Sequence, residues 1–413
     1  MRMRALAFAL LLAASTAHAS LRSLPHFRVP DCLGVNIHFV DPDPAEMDMM
    51  QQAGFGVVRM DLKWEVVEKE KGVYDFSGYR KLTNAMRKRN QIPLYILDYS
   101  NPLYEESRAV TTPEGRKAFA RFAVEAVARL GQGPVIWEIW NEPNLKMFWD
   151  VQPSVEDYVL LVETTSKLMR RIDPHCTIAA PASSQIKMEY LTQCFELGML
   201  QWIDAVSVHP YRTAEPETVM EEYSDLRKTI DKYSPDRFVP ILSGEWGYSV
   251  HAYGDAYIDE MTQARYLARQ FLANFISGVR VSIWYDWRND GDDPEEREHN
   301  FGTVDQTMEP KLAYWAAKTL AEQLRGMTYI TRLKTPRKED YLLLFSNSER
   351  EALAAWTTGR PHVIQLNLDA SIDEATTLLG ERMPLYRVGD KLEIKLTPEP
   401  VYLQAERINP SLD

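Results

Sequence analysis

Eight apolar, strand-like runs, each followed by a segment with helical spacing, constrain this chain more than any other feature. The runs are Leu33–Phe39, Val57–Trp64, Pro93–Tyr99, Val135–Trp140, Thr177–Pro181, Ala205–His209, Val239–Gly244 and Val281–Trp287. Several are nearly continuous in apolar residues, as expected of parallel strands buried on both faces. Helix signals lie between them. Thr112-Pro113 sets an N-cap before a first-turn proline, after which Phe119, Phe122, Ala123, Val127 and Leu130 recur at helical spacing. Ser154-Val-Glu-Asp157 reads as a capping box with Asp in place of Glu or Gln, and an apolar face from Tyr158 to Ile172 follows it. Similar helices fit Pro216–Tyr233, Asp259–Ser277 and Pro310–Gln323. Eight β-then-α units predict an α/β protein, a (β/α)8 TIM barrel within residues 20–325.

From Gly326 onward the runs become short and β-rich, with turn signals such as Gly359-Arg-Pro and Gly389-Asp between them. A small antiparallel β-sandwich over residues 326–413 is the expected reading. Its strands carry no cluster of reactive side chains, so support of the barrel is expected of it rather than glycan binding.

The first nineteen residues read as a signal peptide. Arg2 and Arg4 precede an uncharged apolar stretch from Ala5 to Ala14, and Ala17-His18-Ala19 offers a cleavage site before Ser20. That stretch is too short to span a bilayer, so the mature chain is expected to be exported, periplasmic or secreted, without stable membrane insertion. Losing Arg2 and Arg4 moves the formal charge from -12 to -14. An acidic surface argues against nucleic acid or anionic lipid as partner. Cys32, Cys176 and Cys194 make no disulfide framework, although one Cys176–Cys194 bridge stays open. No metal-ligand spacing accompanies them, and neither a metal nor another cofactor is expected.

Two of the predicted strands stop at a glutamate. One reads Val135-Ile-Trp-Glu-Ile-Trp-Asn-Glu142-Pro-Asn144, the other Ile241-Leu-Ser-Gly-Glu245-Trp-Gly247. A carboxylate at a buried strand end is costly unless it is paired or used. In a TIM barrel both would lie on the C-terminal face, where active sites are built. Two carboxyl groups on one face are what glycoside hydrolysis requires. Asn141 adjoins Glu142 and can reach a sugar hydroxyl. Arg59 in the second strand needs an anionic partner, and Glu245 is the candidate. His209-Pro-Tyr211 ends the sixth strand, and Trp284-Tyr285-Asp286-Trp287 ends the eighth, where the Trp284 indole is expected to floor a sugar subsite.

Trp-Asn141-Glu142-Pro-Asn resembles the acid/base motif of clan A glycoside hydrolases, and Ser-Gly-Glu245-Trp-Gly resembles their nucleophile strand. Phe301-Gly-Thr-Val-Asp305 and Pro310-Lys-Leu-Ala-Tyr314 are similar to the segment after their eighth strand. Within the clan the chain is most similar to family 39. Gly34-Val-Asn-Ile-His38-Phe, the separation of the two glutamates and the export signal resemble hydrolases of bacterial biofilm exopolysaccharide within it. The resemblance implies a retaining endo-β-glycosidase, with Glu142 as acid/base and Glu245 as nucleophile. It further implies Asn141 on the 2-hydroxyl, with Arg59, His38, His209, Tyr211 and Trp284 around the reacting sugar. A polysaccharide substrate and a place beside exopolysaccharide synthesis or export machinery would follow. Other clan A activities (exo-β-xylosidase, β-glucanase, mannanase) stay open, as does a non-catalytic glycan-binding subunit. The acidic segment Asn289–Glu298 matches no EF-hand and reads as a solvated loop or a charge-selective rim.

Overall fold

The computed structural model describes residues 24–149, 152–253, 256–367 and 372–408; the expected leader, residues 1–19, lies outside them. Eight parallel strands close a barrel in sequence order. They are β1 (Leu33–Asn36), β2 (Val57–Lys63), β3 (Ile92–Asp98), β4 (Ile136–Ile139), β5 (Thr177–Ser184), β6 (Ala205–His209), β7 (Ile241–Trp246) and β8 (Val281–Trp284). The principal helices are α1 (Pro44–Gln52), α2 (Ser77–Arg87), α3 (Pro113–Leu130), α4 (Val155–Ile172), α5 (Met188–Glu196), α6 (Val219–Tyr233), α7 (Glu260–Ile276) and α8 (Leu312–Gln323). The expected caps form. Thr112 Oγ1 accepts from Gly115 N, and Ser154 Oγ from Asp157 N.

Side-chain alternation along each strand stacks the barrel interior in layers. Val57, Leu94, Ile136, Ala179, Ala205, Leu242, Val281 and Ile283 form a separate apolar floor. Gly34 makes room for it, since a Cβ there would lie 2.4 Å from Ile283 Cδ1 and 2.6 Å from the Val57 carbonyl. Two residues further along, Arg59, Glu138 and Ser207 build a polar layer on that floor. Gly244 completes it, because a Cβ at that position would sit 2.3 Å from Ser207 Oγ. A dry floor below and a charged layer above fix which end of the barrel can hold a polar ligand.

Beyond the barrel, nine short strands form two antiparallel sheets. They are β9 (Thr328–Arg332), β10 (Asp340–Ser346), β11 (Glu351–Thr357), β12 (His362–Asn367), β13 (Glu374–Thr376), β14 (Arg382–Pro384), β15 (Tyr386–Val388), β16 (Lys391–Leu396) and β17 (Val401–Ala405). The sheet orders are β9-β10-β11-β17-β13-β14 and β12-β16-β15. Met383–Val388 is one β-rich run in the sequence, but it breaks at Leu385, and its halves join different sheets. Leu342, Leu353 and Leu403 of the larger sheet share an apolar core with Leu366, Leu392 and Ile394 of the smaller. The larger sheet's other face, with Leu343, Phe345 and Trp356, packs into the barrel's own core. All three cysteines are free and buried, so no Cys176–Cys194 bridge forms. Among the described residues no helix is long and apolar enough to cross a membrane.

One buried ion pair joins the two parts. Arg269 of α7 donates to Glu217 at 2.7 and 2.6 Å, and Trp356 Nε1 of β11 donates to the same carboxylate at 2.8 Å. Removing one partner of a buried pair strands the other charge. Glu217→Ala is therefore expected to cost about 3–5 kcal/mol in urea unfolding, and Trp356→Phe about 1 kcal/mol. A loss below about 1 kcal/mol for Glu217→Ala would show that the pair does not hold the sheets to the barrel.

Candidate active site

The polar layer is organised by Arg59, which is 1% exposed. Its Nε donates to Glu138 Oε2 at 2.8 Å. Nη1 donates to Asn36 Oδ1 at 3.0 Å and Glu245 Oε2 at 2.6 Å. Nη2 donates to Asn141 Oδ1 at 2.8 Å and faces His209 Nε2 at 3.3 Å. Ser207 Oγ donates to the other oxygen of Glu138. Burial alone would discharge Arg59, but Glu138 and Glu245 outweigh it and raise its pKa.

The guanidinium has no acceptor, so His209 Nε2 must accept from it and Nδ1 must carry the imidazole hydrogen. Nδ1 then donates to Glu142 Oε1, 3.0 Å away. Burial lowers His209 to about 4, over the opposing pull of Glu245 and Glu138, so the ring is neutral at physiological pH. The proton of a protonated Glu142 is thereby directed to its other oxygen. Burial raises Glu142 to about 7, against the lowering effects of Ser184 and Arg59.

Local backbone structure aims Glu142. β4 ends at Ile139, and Trp140 and Glu142 take positive φ values of 72° and 46°. Such values are uncommon for non-glycine residues. The turn is tied to β5 by Glu142 N donating to Ala182 O at 3.0 Å, and by Asn144, which exchanges hydrogen bonds with the Ser184 backbone at 3.0 and 2.9 Å. Across the barrel, Glu245 Oε1 accepts from Tyr211 OH at 2.7 Å. Burial and Glu245 push the Tyr211 phenol well above its usual range, which keeps it a neutral donor. A carboxylate oxygen of Glu142, one of Glu245 and a ring nitrogen of His209 all lie within 4.8 Å of one another. The two glutamates face a cavity of about 410 Å³, lined also by Asn36, His38, Asp61, Tyr99, Phe148 and Tyr285.

A family model for glycosyl hydrolases family 39 matches residues 116–281. A β-xylosidase of Geobacillus stearothermophilus is 28% identical over 155 residues, 32% of this chain and 30% of the relative, so the alignment spans under a third of that protein. A solved family 39 glycoside hydrolase from the gut symbiont Bacteroides cellulosilyticus WH2 is similar over 91% of this chain and 81% of its own, at 25% identity and a TM-score of 0.80. A family 39 β-xylosidase from Caulobacter crescentus shares the fold at 16% identity, with 94% and 98% covered and a TM-score of 0.66.

Over residues 116–281 the chain is similar to glycoside hydrolase family 39, and its fold is shared with solved proteins of that family.

The residues singled out in the sequence separate into groups. Glu142, Glu245, Asn141, Arg59, His38 and Tyr211 meet at one cavity. His209 is fully buried behind it and reaches it only through Glu142 and Arg59. Trp284 does not floor a subsite. It is fully buried, donates from Nε1 to Phe301 O at 3.3 Å and packs beside Tyr248. Alternation explains the correction: Ile283 points into the barrel, Trp284 away from it, and Tyr285 inward again to line the cavity. Arg59 pairs with Glu138 as well as with Glu245. Glu138 went unnoticed in the sequence, although a lone carboxylate four residues before Glu142 in an apolar run was a readable signal. Asn36, within the quoted Gly34–Phe39 segment, was also missed.

The acidic segment Asn289–Glu298 brings Arg297 and Glu298 to the cavity edge. His38 Nε2 lies 3.4 Å from Asp286 Oδ2. Burial opposes the charged form of His38, but Asp286, Asp290 and Asp61 raise it to about 9.

Tyr285→Ala is expected to weaken binding of a glycan product about tenfold, a loss of about 1.4 kcal/mol. Trp284→Phe should leave that affinity within about twofold while lowering stability by about 1–3 kcal/mol. Titration calorimetry and urea unfolding check both. The reverse pattern would restore Trp284 to the subsite.

Proposed function

We propose that this protein is a retaining endo-β-glycosidase that cleaves a bacterial exopolysaccharide. One observation carries the reading: two carboxyl groups share a cavity but stand in opposite environments. Glu142 is buried and raised to about 7, whereas Glu245 accepts from a cation and a phenol. Retaining enzymes hold such a pair about 5–5.5 Å apart and inverting enzymes about 6.5–9.5 Å. Oxygens within 4.8 Å support retention.

In the first step a Glu245 oxygen attacks the anomeric carbon as the glycosidic bond breaks. The departing oxygen takes the Glu142 proton, directed outward because Oε1 accepts from His209. Glu142, now a carboxylate, removes a proton from water, which displaces Glu245 from the anomeric carbon. The proton returns to Glu142 and the nucleophile is free again. Asn141, fixed between Arg59 and Tyr99 OH at 2.8 and 3.2 Å, is the donor assigned to the 2-hydroxyl.

An endo mode is supported by the space beside the glutamates. The catalytic cavity shares Gln185, Tyr211 and Arg297 with a neighbouring cavity of about 470 Å³ that also includes Arg212 and Gly247. A chain of several sugars suits this shape better than a single closed subsite. The β-xylosidases among the relatives favour an exo-β-xylosidase as the second reading. Export follows from residues 1–19, and action near the polymer's synthesis or export machinery follows from a substrate of that kind.

Digesting a panel of exopolysaccharides and xylo-oligosaccharides, with product lengths read by mass spectrometry, tests substrate and mode together. Internal fragments of an exopolysaccharide are expected; release of single xylose units alone would replace this reading with the second. Glu142→Gln and Glu245→Gln should each reduce hydrolysis at least about 10³-fold with glycan binding retained. An aryl glycoside with a good leaving group should partly spare kcat/KM in Glu142→Gln, because departure then needs no proton.

The same reading fixes a pH limb. The acid must be protonated in the free enzyme, and that fraction falls as pH rises through about 7. kcat/KM for an unactivated glycan should therefore decline above about pH 7. A flat profile to pH 9 would remove Glu142 from the acid role.

A further inference from the structure

Beside the catalytic cavity, where the end of β1 meets the loop after β8, is a second convergence of ligand-type side chains. His38, Asp286 and Asp290 bring one imidazole nitrogen and two carboxylate oxygens within 4.8 Å of one another. They line a small space of about 30 Å³ that adjoins the cavity holding Glu142 and Glu245, with His38 on the wall between them. Asp286 is 1% exposed, and neither of its oxygens has a hydrogen-bond partner. His38 Nε2 stands at an ion-pair distance from Oδ2 only. A buried carboxylate has roughly four acceptor sites, and leaving them unfilled is costly. Buried polar groups in this condition commonly hold an unseen water or ion.

The nearest cations are engaged elsewhere. Arg288 Nη1 faces Glu46 at 3.6 Å, and Lys311 Nζ donates to Asn289 Oδ1 and Asn300 O, both at 3.3 Å. The space has room for an ion and a water, since one water needs about 10–15 Å³ by this measure.

We propose that His38, Asp286 and Asp290 form a binding site for a divalent transition-metal ion of the Zn²⁺ type. An imidazole with two carboxylates suits Zn²⁺ or its first-row neighbours, whereas Ca²⁺ prefers an all-oxygen set of six to eight ligands. The 3.4 Å separation of His38 Nε2 and Asp286 Oδ2 is also the edge of a tetrahedron whose ligands stand about 2.05 Å from its centre. The ion departs from the metal-free expectation drawn from cysteine and histidine spacing, because its ligands come from opposite ends of the barrel sequence. Its effect is structural. It ties Asp290, at the start of the acidic loop, to β1, and the same loop carries Arg297 and Glu298 to the substrate cavity.

Isothermal titration of the chelator-treated mature protein with Zn²⁺ tests the site. One saturable equivalent per chain is expected, with a rise of a few degrees in Tm, while Ca²⁺ and Mg²⁺ at the same concentration produce neither. Asp290 is exposed, so Asp290→Asn folds and should weaken Zn²⁺ binding at least about tenfold. Asp292→Asn, in the same loop but outside the cluster, should bind as the parent does. Co²⁺ bound to the parent should give tetrahedral d–d absorption that Asp290→Asn lacks. The absence of one saturable equivalent, equal losses in Asp290→Asn and Asp292→Asn, or equal binding of Ca²⁺ would each overturn the site. So would binding that survives Asp290→Asn but disappears in Glu245→Gln, which would put the ion among the catalytic glutamates.

Discussion

The polar layer at the centre of this barrel depends on one guanidinium. Arg59 has five N–H groups, and the structure supplies five acceptors: Glu138, Asn36, Glu245, Asn141 and the His209 ring. A charge this deep is costly to desolvate, and the cost is offset only when charge and every donor are matched. Glu138 provides the fully buried counter-charge and is itself fixed by Ser207. With that pair settled at the barrel axis, the second carboxylate, Glu245, is aligned without having to neutralise Arg59 alone. A lysine here would supply one point charge and could not hold five groups in a plane.

That single cation also creates the asymmetry the chemistry needs. Glu245 touches it directly at 2.6 Å. Glu142 reaches it only through a neutral imidazole, so burial dominates and its pKa rises. His209 thus transmits orientation without transmitting charge. Two carboxyl groups with oxygens within 4.8 Å of one another therefore stand in opposite environments. Their separation alone would not produce this; the ordering Arg59–His209–Glu142 does.

The barrel was readable because eight runs buried on both faces leave a strong periodic trace, and because caps such as Thr112 and Ser154 are local signals. The glutamate positions were readable for a related reason, since charge interrupting an apolar run at a turn is conspicuous. Trp284 shows where this stops. Run composition marks the end of a strand, but which of Trp284 and Tyr285 faces inward depends on one residue of register, and a slip reverses every assignment. Glu138 escaped because it lies inside a strand, where a carboxylate makes sense only once Arg59 is known to point at it from β2. The split at Leu385 was equally invisible, because the Met383–Val388 run is one β-rich segment in sequence and two sheets in space.

The match to family 39 divides along the same physical line. Residues 116–281 include Glu142, His209, Tyr211 and Glu245, that is, the proposed proton donor, the proposed nucleophile and their immediate supports. The match excludes Asn36, His38, Asp61, Tyr285, Arg297 and Glu298, which line the β1, β2 and β8 side of the cavity. Bond cleavage places its demands on the strand ends, where a rigid barrel fixes distances. Sugar identity is set by what surrounds the ring, and here those groups come both from the matched segment, with Asn141, Phe148 and Gln185, and from strand termini and loops outside it. A family model matched only through the middle of the chain therefore bears on the two glutamates more than on the β1, β2 and β8 side of the cavity. The acidic character of the unmatched side, with Asp61 and Asp290 near His38 and Glu298 at the cavity edge, is a property of this chain's own sequence.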